Sequence, residues 1–301
     1  MPANTGLFPQ TFETFEFHGD RGRICGRLGG SGPALLLLHG FPQTHVMWHP
    51  IAEALAAHFS VILPDLPGYG ASDLPEGGPA AMSKRLIARD MCSLMADLGH
   101  GSFSVCGHDR GARVAYRMAL DHPDRVQRLA VLDILPTHDY WQRMDRAFAL
   151  KVYHWAFLAQ PYPLPERLIS ADPAFYLDHT MASWTARRDL SAFAPAALAA
   201  YRQAFGSEDR VHGACQDYRA GATTDFEDDA ADLAAGRQIT APTLALWGGH
   251  GIAPGAGTPL DVWRRWTTDV RGAAIDSGHF LVEENPAATL SVLLPFLTGQ
   301  A

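Results

Sequence analysis

The 301-residue sequence has little charge and no excess of positive charge. Charged residues make up 19% of it, and 24 Lys and Arg stand against 32 Asp and Glu, for a formal net charge of −8. This balance argues against a nucleic-acid-binding protein, which needs a basic surface. Any positive charge that matters to function must therefore be local.

Long apolar runs and paired cysteines are also missing. No uninterrupted apolar stretch is long enough to span a bilayer, and residues 1–15 lack the basic and apolar segments of a signal peptide. The cysteines show neither C-x-x-C pairs nor metal-site spacing, which favours a reducing compartment; they are Cys25, Cys92, Cys106 and Cys215. These absences predict a cytoplasmic protein without membrane contact.

Metal-site patterns are absent as well, although the chain has 14 histidines. His45 and His49 are four residues apart, but no H-E-x-x-H pattern and no nearby acidic third ligand accompany them. We interpret them as surface or loop histidines and predict no metal site. The acidic run at 226–232 is interpreted as a solvated loop or helix face.

What the sequence does contain is a series of short apolar runs alternating with helix-like stretches. Such alternation predicts a parallel sheet covered by helices on both faces, with the site beyond the carboxyl ends of the strands. The runs lie at 34–38, 60–64, 103–107, 128–133, 242–248 and 272–276, and the clearest helical stretches at 50–59, 84–99 and 111–122.

The interval 136–225 breaks this rhythm. It holds six of the eight tyrosines and three of the seven tryptophans, with helical patterns and few strand candidates. We predict a helical cap here, inserted into a core made of residues 1–135 and 226–301.

The sequence Gly-His-Asp-Arg-Gly at 107–111 follows an apolar run and precedes a helix-like stretch. A strand, a glycine-flanked turn and a helix form a nucleophile elbow, which lifts the central side chain, here Asp109, above the sheet. Helix N–H groups keep a carboxylate there ionised, and it can attack carbon without a base. The alternative is that Asp109 is merely a helix N-cap.

Two other polar residues follow strand-like runs and favour the nucleophile. Asp133 ends the run at 128–133, and His279 follows the run at 272–276. The chain order nucleophile, acid, histidine fits hydrolases of this type, in which the histidine activates water and the acid orients it. The loop at 249–259 offers no acid before Asp261, so elimination favours Asp133.

Arg110 and Arg113 occupy the first helical turn after the elbow, where a cation opposes the helix dipole. Three residues apart, they can share one face and clamp a small carboxylate. The alternative is that they turn outward to surface acids. The backbone N–H of Phe41, in HGFP after the first strong apolar run, is a candidate oxyanion donor together with that of Arg110.

The sequence resembles the haloacetate dehalogenases of the α/β-hydrolase fold, closely the fluoroacetate dehalogenases. Segments spread over most of the chain carry the resemblance: LLLLHGFPQTHVMWH, DLPGYGASD, GHDRGARVAYR, AVLDILPT, YWQRM, KVYHWAFLAQP and SGHF. It implies an Asp109 nucleophile, a His279 base with Asp133 as partner, and carboxylate binding by Arg110 and Arg113.

For the cap, the resemblance implies halide binding by His154, Trp155 and Tyr218, which the local pattern alone would assign to interior packing. Trp184 is expected to help close the pocket. The resemblance further implies a small haloacid substrate, no metal or organic cofactor, and a homodimer.

Two other functions remain open at this point. An epoxide hydrolase shares the aspartate and histidine, and Tyr218 or Tyr153 would protonate the epoxide oxygen, but it has no use for two arginines. A non-catalytic ligand-binding protein on the same scaffold is the third hypothesis, and the complete set of nucleophile, acid and base argues against it.

Overall fold

The computed structural model describes residues 6–251 and 258–300, and its centre is a sheet of eight strands. The sheet order is β1-β2-β4-β3-β5-β6-β7-β8; β3 to β8 are parallel, whereas β2 is antiparallel to both β1 and β4. The strands are β1 Glu13–Gly19, β2 Gly22–Gly29, β3 Ala34–Leu38, β4 Ser60–Pro64, β5 Phe103–His108, β6 Val126–Leu132, β7 Thr243–Gly248 and β8 Val270–Ile275.

The six apolar runs correspond to β3 through β8, so the predicted fold class, a mostly parallel α/β sheet, is confirmed. The hairpin formed by β1 and β2 was not predicted. β1 is an edge strand whose residues alternate between exposed and half-buried, so it has no continuous apolar run of the kind that buried parallel strands show.

Helices cover the sheet, and a large helical insertion separates β6 from β7. The core helices are α1 His49–Ala56, α2 Lys84–Asp97, α3 Arg110–Asp121, α12 Pro259–Trp263, α13 Leu281–Glu284 and α14 Pro286–Thr298. The insertion contains α4 Thr137–Gln142, α5 Arg146–Lys151, α6 Tyr153–Leu158, α7 Leu164–Ser170, α8 Pro173–Trp184, α9 Pro195–Phe205, α10 Glu208–Ala222 and α11 Thr224–Ala234.

The interval predicted as the cap, 136–225, contains α4 through α10, and its predicted end falls inside α11. The division into core and cap stays a prediction.

No helix of the described residues is long and apolar enough to cross a membrane. Most of the loop at 249–259 lies outside the described residues.

Two interpretations of polar residues were wrong. The acidic run at 226–232 is not simply solvated: within α11, Asp229 and Asp232 are buried and pair with the buried Arg117 of α3. His45 is buried rather than on the surface, and its Nδ1 lies 2.7 Å from Asp65 Oδ1. In both cases the partner is distant in sequence, so the local pattern does not reveal it.

Over the described ranges, no cluster of three or more His, Cys, Asp or Glu that could hold a metal is present.

The sheet order places the candidate site residues side by side. β3, β5, β6, β7 and β8 are consecutive neighbours, and Phe41, Asp109, Asp133 and His279 all follow the carboxyl ends of members of this set. Because parallel strands end at the same edge of a sheet, these residues converge there.

Candidate active site

Asp109 sits at the tip of a sharp turn between β5 and α3. Its φ of 46° lies in the left-handed region, as is typical of a strained elbow that exposes its central side chain. Both flanking glycines are sterically required: a Cβ on Gly107 would lie 2.5 Å from the Ala112 nitrogen, and one on Gly111 would lie 2.3 Å from the His39 carbonyl. The backbone therefore packs too closely here for any side chain.

The Asp109 carboxylate is buried and ionised. Its Oδ1 accepts a hydrogen bond from the Phe41 N–H at 2.9 Å. Burial alone would raise the pKa of Asp109, but the charges of His279 and Arg110 outweigh it and hold the pKa below its usual value. The predicted oxyanion donor Phe41 thus contacts the predicted nucleophile.

Asp133 and His279 form a hydrogen-bonded pair. His279 Nδ1 lies 2.6 Å from Asp133 Oδ2, and Asp133 Oδ1 accepts the Gly248 N–H at 2.9 Å. Burial lowers the pKa of His279, but the hydrogen bond and charge of Asp133 outweigh this and raise it. Asp133 also has a positive φ, 53°. The pair leaves His279 Nε2 as the free end of an oriented imidazole.

Both predicted clamp arginines are buried, and neither turns outward to a surface acid. Arg113 Nη1 donates to the Leu135 carbonyl at 3.0 Å and to Thr137 Oγ1 at 3.1 Å, both neutral acceptors. Arg110 instead donates from Nε and Nη2 to the buried carboxylate of Asp217. The structure therefore places both cations beside Asp109, whose pKa both of them lower.

The helical insertion between β6 and β7 contributes three aromatic side chains around the arginines. Trp155 of α6 lies under Arg113, with the guanidinium carbon 4.4 Å from its ring centroid. Tyr218 of α10 lies 4.4 Å from the guanidinium carbon of Arg110. The His154 ring lies 5.8 Å from that of Tyr218. The residues expected to bind halide thus form one cluster over the nucleophile.

The protonation states of this cluster suit hydrogen-bond donation to an anion. Burial lowers the pKa of His154 to about 3, so its imidazole is neutral at neutral pH. Burial and the charge of Asp109 raise the pKa of Tyr218 well above its usual value, so its hydroxyl keeps its proton.

A cavity of about 220 Å³ opens above Asp109. Asp109, Arg113, Asp133, His154, Trp155, Trp184 and His279 are among the residues that line it, whereas Arg110, Tyr218 and Phe41 are not. The Trp184 ring lies 4.4 Å from that of His154 and 5.3 Å from that of His279, and its carbonyl accepts the His279 N–H at 2.9 Å.

Five buried polar atoms of this cluster have no hydrogen-bond partner within the described part of the chain. They are Arg110 Nη1, Arg113 Nε, His154 Nδ1, Tyr218 Oη and His279 Nε2. Buried polar atoms are nearly always paired, so a concentration of unpaired ones calls for an explanation. A small anion and a water molecule bound in the cavity would provide one.

Sequence reasoning missed the residues behind the arginines. Asp217, Lys84 and Tyr69 form a buried polar group around Arg110, and Tyr116 donates to Thr137, the acceptor of Arg113. Tyr69 and Tyr116 lie within two of the segments that carry the resemblance, DLPGYGASD and GHDRGARVAYR, but neither was singled out, and Lys84 and Asp217 lie outside those segments. A mid-helix aspartate such as Asp217 carries no local signal that it is buried.

Comparison with known proteins agrees with the fold. Residues 33–286 match the family model described as alpha/beta hydrolase fold. A solved structure from Nostoc sp PCC 7120, assigned provisionally to the alpha/beta hydrolases, superposes with a TM-score of 0.92 at 47% identity, over 95% of this chain and 98% of that one.

Two curated relatives cover most of the chain. The fluoroacetate dehalogenase of Burkholderia sp is 44% identical over 273 residues, which is 90% of this chain and 89% of that protein. The soluble epoxide hydrolase of Corynebacterium sp. (strain C12) is 32% identical over 89% of this chain and 91% of its own length.

Proposed function

The chain belongs to the α/β-hydrolase family as a homologue of the fluoroacetate dehalogenases, and from that premise we propose that it hydrolyses the carbon–halogen bond of 2-haloacetates, converting fluoroacetate to glycolate and fluoride. The observation that carries the proposal is the set of buried polar atoms around Asp109 that have no partner among the described residues. The atoms suit three different ligands. The guanidinium groups of Arg110 and Arg113 suit a carboxylate, and the imidazole of His154 and the phenol of Tyr218 suit a halide. The imidazole of His279 suits a water molecule.

The first step is displacement at carbon. Asp109 Oδ2 attacks the α-carbon in line, since Oδ1 already accepts the Phe41 N–H. The carbon–halogen bond breaks, the halide leaves with the bonding electrons, and a glycolyl ester forms on Asp109. His154, Trp155 and Tyr218 donate to the departing halide, whose charge develops mainly in the transition state.

The second step is ester hydrolysis. His279 Nε2 takes a proton from water, and the water oxygen attacks the ester carbonyl. The intermediate then collapses: the bond from the Asp109 carbonyl carbon to the glycolate oxygen breaks, His279 returns its proton to that oxygen, and glycolate and the Asp109 carboxylate are released with one proton lost to solvent. The oxyanion of the intermediate is stabilised by the Phe41 N–H, with the Arg110 N–H as second donor. The charge of Asp109 is one cause of the raised pKa of His279. Esterification removes that charge and so favours the neutral base when it is needed. We assign no metal or organic cofactor to either step.

Epoxide hydrolysis is the alternative that the comparisons keep in view. It needs an acid to protonate the epoxide oxygen, and Tyr218, whose pKa is raised well above normal, is a poor one. Tyr153 lines the cavity but is 42% exposed. A neutral epoxide would also offer no carboxylate to Arg113, whose hydrogen bonds go to neutral oxygens. These observations favour the haloacid over the epoxide.

We also propose that the protein forms a homodimer and is cytoplasmic. Large apolar side chains exposed on and beside α7 and α8 support a homodimer; they are Tyr162, Leu164, Leu168 and Phe175. All four cysteines are free and buried, which supports the reducing, cytoplasmic compartment predicted from sequence.

The decisive experiment measures halide release from fluoroacetate and chloroacetate by the purified protein. Asp109→Asn is the matched control, because the amide keeps the oxygen that accepts the Phe41 N–H but cannot attack. Fluoride released only by the wild type supports the full assignment. Chloride without fluoride overturns the roles of His154, Trp155 and Tyr218. If neither halide is released and a terminal epoxide is hydrolysed instead, the protein is an epoxide hydrolase. If ligands bind and no product forms, it is a non-catalytic homologue.

A further inference from the structure

One face of α10 encloses the side chain of Arg110. Asp217, Tyr218 and Gly221 lie on it, and we call these three residues the Arg110 cradle. Arg110 Nε donates to Asp217 Oδ2 at 2.9 Å, and Nη2 donates to Asp217 Oδ1 and to the Asp217 carbonyl, both at 2.8 Å. This two-pronged pairing fixes the guanidinium plane. Nη1 is left as the unpaired nitrogen.

The rest of the cradle prevents the guanidinium from moving. The Tyr218 ring centroid lies 4.4 Å from its central carbon. A Cβ added to Gly221 would lie 3.0 Å from Nη2 and 3.4 Å from Nη1. A methyl group at Gly221 would therefore shift the guanidinium by a few tenths of an ångström.

Charges behind the cradle keep Asp217 ionised. Besides Arg110, its carboxylate accepts from Lys84 Nζ and, at 2.7 Å, from the Tyr69 hydroxyl. Burial would raise the pKa of Asp217, but Arg110 and Lys84 outweigh it and hold the pKa far below normal. Lys84 Nζ also lies 3.3 Å from Asp225 Oδ2.

These two cations and two carboxylates make a buried cluster with no net charge. The charge of Arg110 is thus balanced within this cluster, and its hydrogen bonds to Asp217 fix its orientation. Arg113, whose bonds go to neutral oxygens, keeps its charge for the ligand.

We propose that Asp217 is a positioning residue for substrate recognition: together with Gly221 it fixes Arg110 so that Nη1 is the donor presented to the substrate carboxylate. This inference rests on the proposed function. Since Tyr218 is the next residue of the same helix, α10 also sets the distance between the carboxylate donor and a halide donor.

The test compares Asp217→Asn and Gly221→Ala with the wild type, using the KM and kcat for chloroacetate and the calorimetric Kd for acetate. In Asp217→Asn the amide N–H groups face the donors of Arg110 and Lys84. In Gly221→Ala the charges stay and only the position changes. Both variants are expected to raise KM and the acetate Kd by about tenfold or more, with a smaller change in kcat.

Asp232→Asn is the matched control, because Asp232 is also a buried partner of arginines, Arg117 and Arg237, but contacts no proposed substrate group. It is expected to lower Tm while KM and Kd stay within about twofold of wild type. The proposal is overturned if folded Asp217→Asn and Gly221→Ala bind acetate like the wild type; if Asp217→Asn does not fold, Gly221→Ala decides alone.

The acetate measurement also separates the two hypotheses. A wild type that binds acetate but releases no halide refutes the dehalogenase, and the variants still test the positioning role. A wild type that does not bind acetate refutes carboxylate recognition by Arg110 itself.

Discussion

His279 gives the strongest test of a two-step mechanism, because it acts in only one of the steps. Asp109 is held ionised by its surroundings and needs no base to attack carbon. Hydrolysis of the ester, in contrast, needs His279 Nε2 to take a proton from water. Replacing His279 with Asn removes that base and keeps a small polar side chain beside Asp133. The first step should persist and the second should stop.

The expected magnitude follows from these contacts. Loss of a general base slows its step by about 10²–10⁴-fold, so the ester should accumulate on nearly all active sites. The variant also loses the 2.6 Å hydrogen bond between Nδ1 and Asp133, at a cost of about 1.5–3 kcal/mol of unfolding free energy. Asp133 keeps the Gly248 N–H as a partner. Because domains are stable by about 5–15 kcal/mol, the variant should still fold.

The assay follows halide release and protein mass together after mixing His279→Asn with chloroacetate. We expect one chloride per active site, then a stall, with the intact mass raised by about 58 Da for a glycolyl ester. Asp109→Asn should give neither signal. Sustained turnover by folded His279→Asn would refute the assignment of the base, and a burst without added mass would refute the ester.

Three further predictions concern pH, the leaving group and assembly. Because Asp133 raises the pKa of His279 and only the neutral imidazole activates water, turnover should fall as pH drops through that raised pKa. Asp133→Asn should move this acidic limb of the kcat profile to lower pH, and an unmoved limb would contradict the pairing. Tyr218→Phe should reduce fluoride release about tenfold more than chloride release, since fluoride carries the more concentrated charge; equal losses, or the same loss in the exposed-residue control Tyr162→Phe, would count against it. Light scattering should give twice the chain mass at micromolar concentration, and a monomer would exclude the proposed dimer.

Continuous burial is the reason that most of the sheet could be predicted from the sequence. Strands β3 to β7 are largely buried, so each appears as an apolar run that can be recognised without knowledge of its partners. β8, at the other edge of the sheet, is mostly half-buried or exposed, and only its small apolar residues marked it as a strand. The edge hairpin lacks that signal. The helix α11 was predicted wrongly for a different reason. Its acidic residues indicate solvent exposure, but Asp229 and Asp232 are buried because they pair with Arg117, which is distant in sequence.

The positions of Asp109, Asp133 and His279 could be predicted for a related reason. Each follows a recognisable strand, and strand order alone brings such residues to one edge of the sheet. The cap residues His154 and Tyr218 follow no strand, and only the resemblance to known dehalogenases pointed to them. The structure adds the observation that both carry unpaired buried polar atoms beside the nucleophile.

The two arginines show why a correct residue prediction still leaves the chemistry incomplete. Their positions suggested two equivalent halves of a clamp, because they share one helical turn. In the structure, however, Arg110 is paired with an acid, Asp217, while the hydrogen bonds of Arg113 within the described residues go to neutral oxygens. Asp217 lies 107 positions away from Arg110 along the chain, so no local pattern encodes the difference. The difference has a functional meaning. Arg113, which has no directly bonded carboxylate among the described residues, supplies the charge that attracts an anion. Arg110, held in place by α10, fixes the direction in which the anion is bound.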